Sequence, residues 1–154
     1  MNDIFELNLK ALESSPNATH LLERLKDSIE KFRANPDGSP EDKVLKIVDG
    51  SLGTKNLVYV RQNPPFQSMY YNPDGISEAH NVIRGVDMKY PQIVFIFGMG
   101  LGYMLEAFMS IKTRETWGIF VIEKDPDVFV RAMAANDLRE YFKNESIIWS
   151  IGDE

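Results

Sequence analysis

The run Ile93-Val94-Phe95-Ile96-Phe97 breaks directly into alternating glycines, Gly98-Met99-Gly100-Leu101-Gly102, with Tyr103 opening the next segment. A continuous apolar run of this length suits a parallel strand buried on both faces. Glycines suit a tight turn in which the backbone takes positive φ, and the N-terminus of a helix that follows presents unpaired N–H groups to an anion. A second apolar run, Ile119-Phe120-Val121-Ile122, ends in Glu123. That acid falls about 20 residues beyond the turn, where a ribose-binding carboxylate sits in dinucleotide folds. The pattern predicts a strand-turn-helix-strand unit of α/β type, with Gly98, Gly100, Gly102 and Glu123 as candidate contacts for a nucleotide-type ligand.

The glycines follow G-x-G-x-G, and Tyr103 stands where the dinucleotide pattern wants its last glycine. This spacing resembles the form found in S-adenosylmethionine-dependent methyltransferases more than that of NAD enzymes. Two uses of the turn are open at this level. The glycines can cradle a ligand, or they can simply let a helix pack closely on the sheet. The identity of any cofactor is not set by these residues.

The unit extends in both directions. Tyr103 to Ser110 reads as a helix, Trp117 to Ile122 as the second strand, and Asp125-Pro126 as a helix start, with Asp as cap and Pro in the first turn. Ile147 to Ile151 is the third strand. Right-handed crossovers that continue in one direction predict the strand order 3-2-1. The fold class is therefore α/β, a Rossmann-like half sheet over residues 91–154. It is preceded by short antiparallel strands and a helix over 43–90, and by a helical hairpin over 1–34.

In the hairpin, Phe5, Leu9 and Leu12 share one helical face, and Leu21, Leu22, Leu25, Ile29 and Phe32 form a second stripe. Ser15-Pro16 reads as the cap and first position of the second helix, and the segment from Asn35 to Pro40 as a linker. In the middle region the strands fall at Val44–Val48, Asn56–Arg61 and Gln67–Tyr71, with a turn at Asn63-Pro64-Pro65. Ser77 is the expected cap of a short helix. Tyr70, Tyr71 and Phe66 are candidates for an exposed aromatic patch or for the core of a β-hairpin. The first strand of the half sheet lacks a fourth-strand neighbour, and the antiparallel strands are expected to cover that edge.

At 154 residues, 44% of them hydrophobic, the chain has ample material for a core. A net charge of −6 without any basic, aromatic-interleaved run argues against a nucleic-acid surface. Without cysteine there is no disulfide and no thiolate metal site, and His20 and His80 lie too far apart in sequence to suggest a metal pair. No apolar run approaches the ~20 residues of a membrane span and the N-terminus lacks signal-peptide character, so a cytoplasmic location is expected. Ser68 and Ser77 lack the context of an activated nucleophile, and no catalytic residue is assigned. Asp153, just past the third strand, is expected to be disordered rather than to touch a ligand.

Taken together, Ser68-Met69-Tyr70-Tyr71-Asn72-Pro73 with Glu78-Ala79, the glycine segment Phe95 to Tyr103, and Val121-Ile122-Glu123-Lys124-Asp125 resemble the N-terminal domain of the motility accessory factor (Maf) proteins. These are bacterial flagellin glycosyltransferases related to a family that includes a hydroxymethylpterin pyrophosphokinase. The resemblance covers roughly Leu57 to Glu154. It implies a parent protein that transfers a nonulosonic acid from a nucleotide-activated donor to Ser or Thr of flagellin, with the catalytic domain in a C-terminal remainder beyond this chain. The chain would then be a non-catalytic module whose partners are that remainder and flagellin. Two other readings stand beside it: an S-adenosylmethionine-binding methyltransferase-like domain, and a protein-interaction module.

Overall fold

The computed structural model describes residues 3–36, 44–61, 64–72 and 74–152. Most of the linker, Asn63 of the expected turn, Pro73 and Asp153 lie outside the described residues. Two separate three-stranded sheets are present among the described residues. The first is antiparallel, in the order β1 (Val44–Asp49), β2 (Lys55–Arg61), β3 (Phe66–Met69). The second is parallel, in the order β4 (Gln92–Phe97), β5 (Thr116–Glu123), β6 (Ile147–Ile151). The order 3-2-1 expected from crossover handedness is the one found. Helix α4 (Tyr103–Ile111) connects β4 to β5, while α5 (Pro126–Ala135) and the short α6 (Arg139–Phe142) connect β5 to β6.

Both connections run the same way, so right-handed crossovers place α4 and α5 on one face of the parallel sheet. That face is dry. Ile96, Ile119, Val121, Ile147, Trp149 and Ile151 pack there with Leu105, Phe108, Phe129 and Met133 in a single core. The N-terminal helices α1 (Asp3–Glu13) and α2 (Leu21–Ala34) lay their apolar stripes over α5 and α6 and enlarge the same core. Phe129, Phe142 and Trp149 form an aromatic triad at its centre, with ring centroids 5.3–6.2 Å apart.

Asp125 caps α5 as its sequence suggests, accepting a hydrogen bond from the Asp127 amide at 2.9 Å with Pro126 in the first turn. Two other helix starts differ from expectation. The second helix begins at Leu21, not at Ser15-Pro16. Ser15 Oγ instead accepts from the Ala18 amide and donates to the Phe142 carbonyl at 2.6 Å, and Asn17 Nδ2 donates to the Glu145 carbonyl. These long-range bonds hold residues 16–20 in a turn. The third helix, α3 (Gly75–Ile83), is capped by Asp74 rather than Ser77. The Asp74 carboxylate accepts from both the amide and the hydroxyl of Ser77, which hold it below the usual carboxylate range.

The expected cover of the parallel sheet is also corrected. Among the described residues no strand pairs with the outer edge of β4, and the antiparallel sheet stands apart. It has a face to bury rather than an edge to join: Leu45 and Leu57 enter the helical core, and the buried Arg131 of α5 donates from Nε to the Leu45 carbonyl at 2.7 Å. Nor is β4 buried on both faces. Ile93, Phe95 and Phe97 alternate into solvent at 51%, 53% and 75% exposure, while Ile96 between them is buried.

Candidate functional site

The four residues singled out in the sequence converge at the C-terminal end of the parallel strands. Gly98, Gly100 and Gly102 all take positive φ, at 78°, 55° and 97°. Each therefore occupies backbone space that an L-residue enters only under strain. Gly98 N–H continues the sheet to the Ile122 carbonyl at 2.8 Å, and Gly102 N–H closes the turn on the Met99 carbonyl at 3.0 Å. Glu123, only 5% exposed, sits across from the turn at the end of β5. Its Oε2 accepts from Gly100 N–H and its Oε1 from Asp125 N–H, both at 3.1 Å. One carboxylate thus clips together the loops that follow β4 and β5.

Sequence reasoning missed the residues that close the turn. Tyr71 reaches in from the segment after β3 and its hydroxyl accepts from Leu101 N–H at 2.6 Å. Tyr70 packs edge-on against it, with ring centroids 5.0 Å apart. Burial raises the pKa of both phenols above the ordinary value, and the Glu123, Asp125 and Glu78 carboxylates add to the effect at Tyr70. Neither tyrosine is in a hairpin core: Tyr71 is buried at the glycine turn, and Tyr70 is 43% exposed above it. A Cβ at Gly100 would lie 2.1 Å from the Tyr71 hydroxyl oxygen and 2.7 Å from the Tyr70 ring. The middle glycine is therefore required by two aromatic side chains of the protein itself.

The tyrosines are in turn held from behind. Asn56, fully buried in β2, accepts from the Tyr71 amide through Oδ1 and donates from Nδ2 to its carbonyl, at 3.2 and 2.9 Å. Tyr103, standing where the dinucleotide pattern wants its last glycine, stacks edge-on to Tyr71 at 5.4 Å. Its hydroxyl accepts from Lys55 N–H at 2.8 Å and donates to the Lys55 carbonyl at 2.9 Å. Gly75 at the start of α3 lies against the Tyr103 ring, with no room for a Cβ. The tyrosine segment, the α3 start and the glycine turn form one continuous packing unit. A polar Asn leading directly into the apolar run Leu57-Val58-Tyr59-Val60 was the available signal for it, since a buried amide needs partners.

Two amides that would face a phosphate in a nucleotide-binding turn, those of Gly100 and Leu101, thus donate to the protein's own oxygens. A ligand anion there competes with a carboxylate for the first and with a phenol for the second. The cavity beside the turn, about 270 Å³, is lined by Gly102, Glu106, Asn136, Asp137 and Tyr141 among others, with no Lys, Arg or His. Its charge is wrong for phosphate. A larger cavity of about 550 Å³, bounded by Val86–Lys89 and Thr113–Glu115, opens at the opposite end of the sheet. Ser77 is tied to Asp74, and no group of three His, Cys, Asp or Glu able to hold a metal occurs among the described residues.

The bond from Leu101 N–H to the Tyr71 hydroxyl makes a direct prediction. Tyr71→Phe keeps the ring and removes the acceptor of a buried amide, so it should destabilise the fold by about 1–3 kcal/mol. A denaturant midpoint equal to that of the parent chain would show that Leu101 N–H finds another partner.

The family model described as glycosyltransferase Maf N-terminal domain matches residues 25–146. Among solved structures, the Maf glycosyltransferase from Magnetospirillum magneticum AMB-1 is similar over 100% of this chain, with a TM-score of 0.61 and 16% identity. The chain spans 28% of that protein's length. A spermidine synthase from Thermotoga maritima overlaps 74% of this chain and 38% of its own, at 18% identity and a TM-score of 0.43. No curated protein sequence matches the chain.

Proposed function

The chain belongs to the glycosyltransferase Maf N-terminal domain family, and from that premise we propose that it is a non-catalytic module of a flagellin-modifying glycosyltransferase. The parent enzyme would act in the bacterial cytoplasm, moving a nonulosonic acid from a nucleotide-activated donor to Ser or Thr of flagellin. The module's work is to be a rigid platform for the remainder of that protein. One observation carries this reading: the glycine turn is closed from within, its Gly100 and Leu101 amides held by Glu123 and Tyr71. In this role Gly98, Gly100, Gly102 and Glu123 serve packing, and ligand binding at the turn would require Tyr70 and Tyr71 to leave. Among the described residues no helix is long and apolar enough to cross a membrane.

Calorimetric titration of the isolated chain with S-adenosylmethionine and with a nucleotide-activated nonulosonate should give no saturable heat. Incubation with that donor and flagellin should give no transfer. A 1:1 isotherm with either ligand would overturn the closed-turn reading in favour of a binding domain. Turnover by the chain alone would overturn the non-catalytic assignment.

A further inference from the structure

Among the described residues nothing covers the face of the parallel sheet opposite α4 and α5, and that face is apolar. The strand register puts Ile93, Phe95 and Phe97 of β4 beside Gly118, Phe120 and Ile122 of β5, and Phe120 beside Ile148 of β6. Phe95 stacks nearly parallel on Phe120 at 4.8 Å and on Phe97 at 6.2 Å, so the aromatic rings form a flat, ordered surface. Ile93, Phe95, Phe97 and Ile148 are each 45–75% exposed. A parallel sheet open to water on one face is rare, because its strands are ordinarily covered on both. A contiguous patch of this kind marks an interaction surface.

The topology points to what covers it. Every crossover within the chain moves from β4 towards β6 and leaves its helix on the face already covered. A right-handed connection leaving β6 puts a helix on the bare face only if the chain returns across β5 and β4 and its next strand joins the free edge of β4. That one arrangement covers the face and pairs the edge together. We infer that in the assembled glycosyltransferase an amphipathic helix of the remaining polypeptide packs on Ile93, Phe95, Phe97, Phe120, Ile122 and Ile148, with its next strand paired to β4. The inference rests on the reading of this chain as a module of a larger protein, of which it spans 28% in the Magnetospirillum relative.

The chain has no cysteine of its own, so an introduced thiol is the only one in it, and in the longer polypeptide the rate is read on the peptide that carries that thiol. A single Phe97→Cys variant, at a position 75% exposed, is labelled with a maleimide in the isolated chain and in the Maf polypeptide that carries it. The isolated chain should react as a free thiol does, and the longer polypeptide at least about tenfold more slowly, since its reaction requires local opening. Equal rates in the two would overturn the inference. So would slow labelling of the isolated chain that speeds up on dilution, which identifies a second copy as the occupant. Phe97→Glu supplies an independent check: the isolated chain should melt unchanged while the longer polypeptide loses thermal stability, and an unaffected longer polypeptide counts against the docking. Glycosyl transfer by the isolated chain would sink the module reading without altering either labelling rate, so the two failures are distinguishable.

Discussion

Replacing Gly100 by valine should lower the melting temperature by about 10–15 °C, the largest loss expected from any glycine in the turn. Two terms add. The backbone at φ 55° costs a non-glycine residue about 1–3 kcal/mol. The new Cβ then falls 2.1 Å from the Tyr71 hydroxyl oxygen, which the Leu101 amide holds in place, and overpacking of this kind costs a further ~1–3 kcal/mol. Gly98→Ala separates the two terms. Its φ of 78° imposes comparable strain, but its Cβ would meet only the Tyr70 hydroxyl at 3.7 Å, an ordinary contact. The expected drop is only about 4–8 °C. Thermal melts followed by circular dichroism decide the matter. Equal losses at the two positions would mean that backbone strain alone governs the turn and that the tyrosines yield freely. A cycle combining Gly100→Ala with Tyr71→Ala should be less than additive, because the second change removes the atom that the first one strikes.

The strand-turn-helix unit is readable because each of its signals is local. An apolar run, glycines at a positive-φ turn and an Asp-Pro helix start act within a few residues of one another, and the strand order follows from chirality once the crossovers continue in one direction. The helix starts at residues 15–21 and 74–77 were misplaced because competing partners decide them. Ser15 has the chemistry of a helix cap, but its hydroxyl is taken up with Phe142, 127 residues away. Asp74 outcompetes Ser77 because a carboxylate can accept from both the amide and the hydroxyl of that serine.

The bare sheet face shows a different limit. Ile93, Phe95 and Phe97 read as interior residues, and in the chain they are exposed. A hydropathy pattern registers that a side chain is apolar, and not which polypeptide covers it.

At the candidate site the sequence reading brought the correct residues together and left their use open. Glu123 lies at the strand end beside the glycine turn, where a ribose-binding acid would be. Its carboxylate oxygens nonetheless hold the Gly100 and Asp125 amides. Nothing in the spacing could distinguish that outcome from a ligand contact, because both need an acid at the same place. The deciding residue, Tyr71, lies about 30 positions upstream, and only the tertiary fold brings its hydroxyl to Leu101 N–H. The tyrosine segment and the glycine turn occur in the same chain for a physical reason: one fills the space that the other leaves without side chains.

A buried amide at the far side of the core should prove nearly as sensitive as Gly100. Asn8 lies in the apolar face of α1 and is fully buried. Its Nδ2 donates to the Met133 and Asn136 carbonyls, both at 2.7 Å, and its Oδ1 accepts from Leu138 N–H at 2.8 Å. One side chain thus fastens α1 to the end of α5 and to the start of α6. Asn8→Leu fills the space but orphans these backbone groups, at about 1–3 kcal/mol for each that stays unsatisfied. A loss of roughly 3 kcal/mol, or about 6–12 °C in melting temperature, is expected. Asn8→Asp tests the same bonds through pH. Its carboxylate would face two carbonyl oxygens in a dry site, so its folded-state pKa is raised above the unfolded value near 3.9. The sign follows from linkage: the protonated acid can donate where Asn8 does, so the variant's stability is greatest below the unfolded pKa and declines as pH rises through the folded one. Relative to the parent chain, Asn8→Asp should therefore recover between pH 7 and pH 4 while Asn8→Leu does not. If both variants keep the same deficit at the two pH values, the Met133 and Asn136 carbonyls are not the partners that hold α1 in place.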